Sequence, residues 1–332
     1  MPARSCRVRI GESFGTMIWD TIQGRDPRES PVEEWGGISY GLAGLDAALP
    51  PDWEVAPLVK VGRDLAPRAA EFLRTLARAS RGARFIEVPE PNPRVKLSYL
   101  DDQRRCEGLT GGLPTWTWAE LGPLLLGLEA LYVNFITGFE CDLATAQALR
   151  RGFAGPIYGD LHSLALGIRE GGTRYYRPIE EALAWLACFD VAQVNEDEMR
   201  QLGDDPMTLA ARALERGVGA VCVTLGARGA VYVAAGDFTS LAWAGAARPA
   251  RLAGTPLART ALVRAEGPPL AGDPTGCGDV FGATLASCLL AGTELEPAVA
   301  TANRMARRNV TYRGATGLQH HLRGSLPGAL AS

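Results

Sequence analysis

Short apolar runs with strand character alternate with longer Ala-, Leu- and Arg-rich stretches of helical character along the 332-residue chain. This alternation is typical of a mostly parallel sheet covered by helices. The predicted strands are residues 7–10, 55–61, 85–88, 131–135, 156–158, 191–194, 220–224 and 230–234. The predicted helices are residues 41–49, 66–79, 143–151, 179–187, 196–202, 207–216, 279–290 and 297–310.

Two segments, 14–40 and 91–118, interrupt this alternation. Both are rich in turn-forming residues and carry short alternating runs, which favour β-ribbons over crossover helices. Ligands of open α/β sheets bind at the carboxyl ends of the strands. We therefore predict that the two segments form a small β lid over that edge, and an exposed lid edge could pair two subunits into a homodimer. Two ordinary surface excursions are the alternative.

Composition narrows the class of protein. Apolar residues make up 47% of the chain, the formal net charge is −3, and Lys and Arg form no block, so a nucleic-acid partner is not expected. No apolar run is long enough to span a bilayer, and the basic N-terminus lacks the apolar stretch of a signal peptide. The seven cysteines are scattered and the histidines number three, which indicates reduced thiols and no sequence-evident zinc site. We expect a cytoplasmic protein whose partner is a small molecule.

The stretch 273–285, D-P-T-G-C-G-D-V-F-G-A-T-L, carries the clearest chemical signal. Gly276, Cys277 and Gly278 can turn backbone N–H groups toward one point, and the helix predicted to follow places its positive end there. Asp279 sits at the same end, where a carboxylate can accept a proton from a substrate hydroxyl. An anion site and a base within three residues predict phosphoryl transfer to an alcohol. The alternative is a glycine-rich turn in which Asp279 only starts a helix.

This stretch resembles the C-terminal signature of the ribokinase-like (pfkB) small-molecule kinases, where D-T-x-G-A-G-D is typical. Further motifs follow the family's order: the start Ile10–Asp20, the pair Gly36-Gly37, V-G-R-D at 61–64, N-x-x-E at 195–198, T-x-G-x-x-G at 224–229, and a last helix with a G-A turn at 302–315. Motifs in the right order are far more specific than any one alone. The resemblance implies one ribokinase-like domain over residues 1–332, a three-layer αβα sandwich with a mostly parallel central sheet and a small β lid from about 14–40 and 91–118.

The resemblance also implies roles on the phosphate-donor side. Asp279 becomes the catalytic base, and residues Gly276, Cys277 and Gly278 the anion hole. Asn195 and Glu198 would organise Mg²⁺, through water, and the triphosphate of ATP, although Asn followed by acids also suits a plain helix start. The residues expected to approach the nucleotide are Thr224, Gly226, Gly229 and Asn303. Asp273 and Thr275, with the Gly314-Ala315 turn, resemble the elements that hold a monovalent cation such as K⁺ in relatives.

On the acceptor side, the resemblance implies substrate contacts from Asp20, Gly37 and Asp64. One position departs from the family: Gly41 stands where many of its sugar kinases have Asn, which puts common sugars in doubt. His162 follows a predicted strand and is expected either to reach the cleft or to be a satisfied loop histidine.

These observations predict an ATP-dependent kinase that phosphorylates a primary hydroxyl of a sugar or sugar-like molecule. A nucleoside kinase of the same family is the first alternative. The second is a catalytically weak relative that binds a nucleotide or sugar and acts as a regulator. A P-loop enzyme is disfavoured because no G-x-x-x-x-G-K-[ST] occurs.

Overall fold

A computed structural model describes residues 9–23, 31–80, 84–99, 105–203, 205–243 and 257–324. Its strands are β1 Arg9–Phe14, β2 Met17–Gln23, β3 Val32–Gly37, β4 Trp53–Leu58, β5 Lys60–Gly62, β6 Ile86–Val88, β7 Arg94–Tyr99, β8 Arg105–Thr110, β9 Ala130–Asn134, β10 Ile157–Asp160, β11 Leu166–Ile168, β12 Arg174–Tyr176, β13 Val191–Asn195, β14 Ala220–Thr224, β15 Ala230–Ala235 and β16 Ala258–Val263. Its helices are α1 Ile38–Ala48, α2 Ala66–Arg74, α3 Trp118–Leu124, α4 Leu143–Gly152, α5 Ala182–Leu186, α6 Glu196–Met199, α7 Pro206–Glu215, α8 Cys277–Leu290, α9 Leu295–Asn309 and α10 Leu318–Arg323.

The central sheet has the strand order β16-β15-β14-β13-β10-β9-β1-β4. Every pair from β4 to β14 is parallel, and β15 and β16 are added antiparallel. β9 and β10 are buried along their whole length, as strands covered on both faces must be. The predicted mostly parallel sheet is confirmed.

Helices lie in two groups. α1 packs against α8 and α10, and α8 packs against α9; in the other group α4 contacts both α3 and α5, and α5 contacts α7. α1 and α8 approach closely at Gly44, where an added Cβ would lie only 2.8 Å from the Cβ of Ala283. Glycine at this position therefore allows the close approach. The predicted α/β class with flanking helices is confirmed. No helix within the described ranges has the length and apolar character needed to cross a membrane.

A separate four-stranded sheet, ordered β3-β2-β7-β8, is built from both segments that interrupted the alternation. β2 pairs in parallel with β7, which joins the two segments into one layer. The structure therefore contains the predicted small β sheet, which we call the lid. Residues 24–30 and 100–104 of these segments, and residues 7–8 of the first predicted strand, lie outside the described residues.

Several predicted elements differ in detail. The strand predicted at 55–61 is divided into β4 and β5, and β6 pairs with β5 instead of joining the central sheet. The helix predicted at 179–187 is only α5, because Glu181 has a left-handed φ of 52° immediately before it. The elements not predicted are β11, β12, β16, α3 and α10.

Candidate active site

The glycine-rich loop enters α8 as the sequence predicts. Gly276 occupies the N-cap with a φ of 78°, and a Cβ there would lie 2.2 Å from the Tyr40 ring. Glycine is therefore required both by the left-handed backbone and by the close approach of Tyr40. Gly278 is exposed and Asp279 is half-buried. The start of α8 is open to solvent, as a site for a ligand must be.

Side chains from two central strands, β9 and β13, hold this helix start. Asn134, the last residue of β9, donates from Nδ2 to Asp279 Oδ1 over 2.6 Å. The Tyr132 hydroxyl donates to the Asp279 carbonyl over 3.3 Å, and Gln193 Nε2 donates to the Gly278 carbonyl over 3.0 Å. Sequence reasoning missed all three residues. The one available signal was Asn134, a polar residue at the carboxyl end of an apolar strand.

A buried polar network continues from Gln193. Its Oε1 accepts from the Tyr158 hydroxyl over 2.6 Å, and its Nε2 also donates to Asp160 Oδ2 over 2.9 Å. The ring of Tyr158 is stacked on that of Tyr132, with centroids 5.5 Å apart. Burial raises the pKa of the Asp160 carboxyl well above its usual range, although the charge of His162 opposes the shift.

Asn195 and Glu198 form a capping box at the start of α6. Asn195 Oδ1 accepts from the Glu198 N–H over 2.9 Å, and Glu198 Oε2 accepts from the Asn195 N–H over 2.7 Å. Glu198 Oε1 also contacts Asn195 Nδ2 and His162 Nδ1. Burial disfavours the charged imidazole, but the charge and hydrogen bond of Glu198 outweigh it and raise the pKa of His162 to about 9. His162 is therefore the partner of Glu198, with its side chain 31% exposed.

The hydrogen bonds of Glu198 determine whether its carboxylate could bind Mg²⁺ directly. Both carboxylate oxygens of Glu198 are engaged by protein donors, and the residue is 1% exposed. Within the described ranges, no group of three or more His, Cys, Asp and Glu side chains could hold a metal ion. Glu198, as placed, does not fit as a direct ligand. This agrees with the usual binding of Mg²⁺ through substrate phosphates and water.

The residues expected near the nucleotide lie around the ends of β14, β15 and β16. Thr224 ends β14, and Gly226 is exposed with a φ of 59°. A Cβ at Gly229 would lie 2.2 Å from the Val263 carbonyl, so the close pairing of β15 and β16 requires this glycine. Asn303 is buried on α9 and donates to the same carbonyl over 3.0 Å. Their contacts with a nucleotide stay predictions.

The residues expected beside a monovalent cation lie against the α8 loop. Asp273 Oδ1 accepts from the Thr275 N–H over 2.9 Å, and Asn309 Nδ2 donates to the Thr275 carbonyl over 2.7 Å. Asn309 also donates to Cys277 Sγ over 3.3 Å. Ala315 donates its N–H to the Trp35 carbonyl, which ties the G-A turn to lid strand β3. The K⁺ role stays a prediction.

Two acceptor-side residues lie near the loop. Asp20 is buried on β2 against Gly36, where a Cβ would lie 1.8 Å from Asp20 Oδ2. Burial, followed by the charges of Asp20, Asp273 and Asp279, raises the pKa of Tyr40 well above its usual range. These three acids therefore surround one side chain. Gly37 links β3 to α1 with a φ of 60°.

Asp64 is engaged elsewhere. Its Oδ1 accepts from the Asn92 N–H over 2.9 Å, and its Oδ2 pairs with Arg94 over 2.7 Å. Partial burial opposes the shift, but these two donors lower the pKa of the Asp64 carboxyl. A substrate hydroxyl would have to compete with them, and the role of Asp64 in binding stays a prediction.

The departure at Gly41 has a structural explanation. A Cβ there would lie 3.2 Å from Tyr132 Cε1 and 3.7 Å from its hydroxyl. Tyr132 thus fills the space into which a side chain at position 41 would extend. The Tyr132 hydroxyl, which donates to the Asp279 carbonyl, lies in this space.

A cavity of about 280 Å³ lies between the lid and the core. Its lining includes Lys60, which pairs with Glu120 and lies 4.4 Å above the Trp116 ring, and Glu140, which accepts from Thr16 Oγ1 over 2.8 Å. Further lining residues are Gly15, Leu109, Thr137, Phe139 and Ile168. A Cβ at Gly15 would lie 2.9 Å from the Asn134 carbonyl, so the cavity wall adjoins the strand end that holds Asp279. Sequence reasoning assigned no role to Glu140.

Comparison with known proteins agrees with this geometry. Residues 173–321 match the family model described as pfkB family carbohydrate kinase. No curated protein matches the sequence.

Solved structures match over almost the whole chain. A pyrophosphate-dependent kinase in the ribokinase family has a TM-score of 0.69 at 17% identity, covering 94% of this chain and 99% of its own. The ribokinase of Thermotoga maritima has a TM-score of 0.67 at 18% identity, covering 96% and 98%. The nucleoside kinase of Burkholderia thailandensis, solved with inosine, has a TM-score of 0.67 at 16% identity, covering 93% of each chain.

The resemblance to the ribokinase-like family is thereby confirmed, and the chain has the ribokinase-like α/β fold. The matching structures include a ribokinase, a kinase complexed with myo-inositol and a nucleoside kinase, and they select no acceptor for this chain.

Proposed function

We propose that the protein transfers the γ-phosphoryl group of ATP to a primary hydroxyl of a sugar or sugar-like small molecule. The observation that carries this proposal is the half-buried Asp279 carboxylate at the start of α8, beside the half-buried Gly276 and the exposed Gly278. Backbone N–H groups and the helix dipole favour negative charge at this point.

In the proposed reaction, Asp279 accepts the proton of the acceptor hydroxyl while the oxygen of that hydroxyl forms a bond to the γ-phosphorus. The bond between that phosphorus and the β–γ bridging oxygen breaks, and ADP leaves. The amides of Gly276 and Gly278 face the transferring group and stabilise its charge, which is where most of the catalysis of such reactions arises. The Cys277 N–H, which the sequence also assigned to this anion hole, donates to the Pro274 carbonyl over 3.1 Å. Mg²⁺ bound to the phosphates would neutralise further charge.

The acceptor is assigned to the 280 Å³ cavity between the lid and the core. Its mixed lining supports this assignment, because the polar residues Glu140 and Lys60 lie in the same wall as the aromatic residues Trp116 and Phe139. Glu140 and Lys60 are both engaged by protein partners. Small-molecule sites commonly combine an apolar wall with a few placed polar groups. Phe139 is 46% exposed, and this aromatic face favours a nucleoside as the second candidate acceptor.

A panel of donors and acceptors tests the proposal. The donors are ATP and pyrophosphate, because a pyrophosphate-dependent kinase has a similar fold. The acceptors are ribose, fructose, myo-inositol and inosine. We expect transfer from ATP to at least one acceptor. Thermal stabilisation by ATP without turnover on any acceptor would contradict the proposal and favour a binding protein.

Asp279→Asn tests the assigned base. We expect kcat to fall by ~10²–10⁴-fold, the usual contribution of a general base, while the folded protein still binds ATP. The matched control is Asp205→Asn, which changes another helix-start aspartate that caps α7 on the exposed surface. The assignment is wrong if Asp279→Asn phosphorylates the best acceptor as fast as the parent.

A further inference from the structure

Asn134 contacts the Asp279 carboxylate from the central sheet. It ends β9, which lies between β1 and β10, and it is 0% exposed. Its Nδ2 donates to Asp279 Oδ1 over 2.6 Å. The orientation of the amide follows from this partner, because the reversed amide would place an acceptor oxygen against a carboxylate oxygen.

Asn134 is costly as a packing residue. Its Oδ1 is buried without a hydrogen-bond partner among the described residues, and an unsatisfied buried acceptor destabilises the folded state. The other β9 residues are apolar or aromatic, from Ala130 to Val133. An apolar side chain of the same size would continue that pattern and avoid the cost. Asn134 therefore needs an explanation other than stability.

We infer that Asn134 is a positioning residue that holds one oxygen of Asp279 and thereby orients the carboxylate that receives the hydroxyl proton. This inference rests on the proposed role of Asp279 as the base. The hydrogen bond from Asn134 occupies one lone pair of Oδ1 and favours the charged form of the carboxylate. The same bond fixes the plane of the carboxylate relative to α8.

The backbone around Asp279 is held from the same side. The Tyr132 hydroxyl donates to the Asp279 carbonyl, and Gln193 Nε2 donates to the Gly278 carbonyl. Both the side chain and the peptide of the base are thus oriented by residues of β9 and β13 in the central sheet. Rigid strands support catalytic geometry better than loops do.

The first test is Asn134→Leu, of similar size and without the donor. We expect kcat to fall by roughly 10- to 100-fold, because misplacing a reacting group costs rates of that order, while both KM values stay the same. The acid limb of the pH–kcat profile should move to higher pH, because the carboxylate loses a donor that favours its charged form. The titratable groups that face Asp279 include Asp160 from β10, Tyr132 from β9 and Tyr40 from α1, and all three are retained.

Gln319→Leu is the matched control. Gln319 is also a 0% exposed amide with an unpartnered oxygen, but it lies on α10 and donates to the Thr75 carbonyl. We expect this change to leave kcat and the pH profile unchanged. Equal losses of kcat in both variants would overturn the inference, since they would reflect a general structural effect.

Asn134→Asp keeps the size of the side chain and serves if the leucine variant does not fold. It places a second carboxylate against Oδ1, so the pair should share a proton and the acid limb should move further than in the leucine variant. Parent-like kcat and pH profiles in either folded variant overturn the role of Asn134. Parent-like activity of Asp279→Asn instead overturns the proposed function, so the two failures are distinguishable.

Discussion

Two carboxyl groups, Asp279 at the sheet edge and Glu12 inside the core, differ in what surrounds them. Asp279 is half-buried and receives a hydrogen bond from Asn134. Glu12 lies on β1 beside a cavity of about 20 Å³, which is lined largely by apolar side chains such as Leu45 and Leu131. Its Oε2 is buried and unpartnered in the described structure, and burial raises the pKa of Glu12 to about 8. Burial therefore favours the neutral form of Glu12.

Glu12→Gln should change how stability depends on pH. The unfolded chain releases the Glu12 proton near the usual value of 4.5, whereas the folded protein keeps it until about pH 8. Between these values the free energy of unfolding of the parent falls by about 1.4 kcal/mol per pH unit from this residue. The glutamine variant lacks this loss, so its advantage over the parent should grow from pH 5 to pH 8 in urea unfolding. A difference that stays constant with pH would contradict the assignment.

Sequence patterns identified those residues of the candidate site that are close to one another along the chain. Gly276, Gly278 and Asp279 are encoded within four positions, and the structure places them at one helix start. Asn134 is 145 positions from Asp279. No local pattern records a contact of that separation, which explains why Asn134 was missed.

The two glycines at the start of α8 differ in whether the structure requires glycine, and this predicts different effects of alanine. Gly276→Ala meets the Tyr40 ring and the left-handed backbone, so we expect a loss of about 2–5 kcal/mol in the free energy of unfolding. Gly278→Ala lies in the first turn with only Gln193 Nε2 nearby, at 3.9 Å. It should be neutral or stabilising by up to about 1 kcal/mol. Chemical unfolding measures the free energy of unfolding of both variants. Equal destabilisation would argue against the described packing at the start of α8.

Elements with a clear local signature were predicted well. β14 matches the predicted range 220–224, and β9 differs from the prediction by one residue at each end, because both are apolar runs buried within the sheet. β16 was missed since Ala258–Val263 is an edge strand, exposed or half-exposed along its length, and so has no continuous apolar run. α3 contains Pro123, a residue that usually argues against a helix.

At the scale of the whole molecule, α10 is joined to α1 by a partly buried ion pair. Arg323 reaches Asp46, which is 0% exposed, over 2.9 Å and across 277 positions. The other Asp46 oxygen accepts from the Arg78 N–H. The pair connects the C-terminal end of the described chain to the helix that packs on α8.

Arg323→Met should therefore destabilise the protein without changing kcat. Removing one partner leaves a buried carboxylate without its cation, which costs about 3 kcal/mol. Arg304→Met is the control, because Arg304 pairs with Glu266 on the surface at 3.5 Å and should cost less than about 1 kcal/mol. Thermal and urea unfolding measure both changes. Equal effects would show that the Arg323 pair is no more than a surface contact.

The sequence by itself determined the order of strands and helices, the interruptions that become the lid, and the loop that presents Asp279 at a helix start. These features follow from periodicity, glycine and capping chemistry, which act over a few neighbouring residues. Only the tertiary structure decided that Asn134 holds Asp279, that His162 pairs with Glu198, and that a cavity opens beside Thr16 and Glu140. The physical reason is that strand order in a parallel sheet brings together side chains separated by many residues, and local propensities carry no record of those contacts.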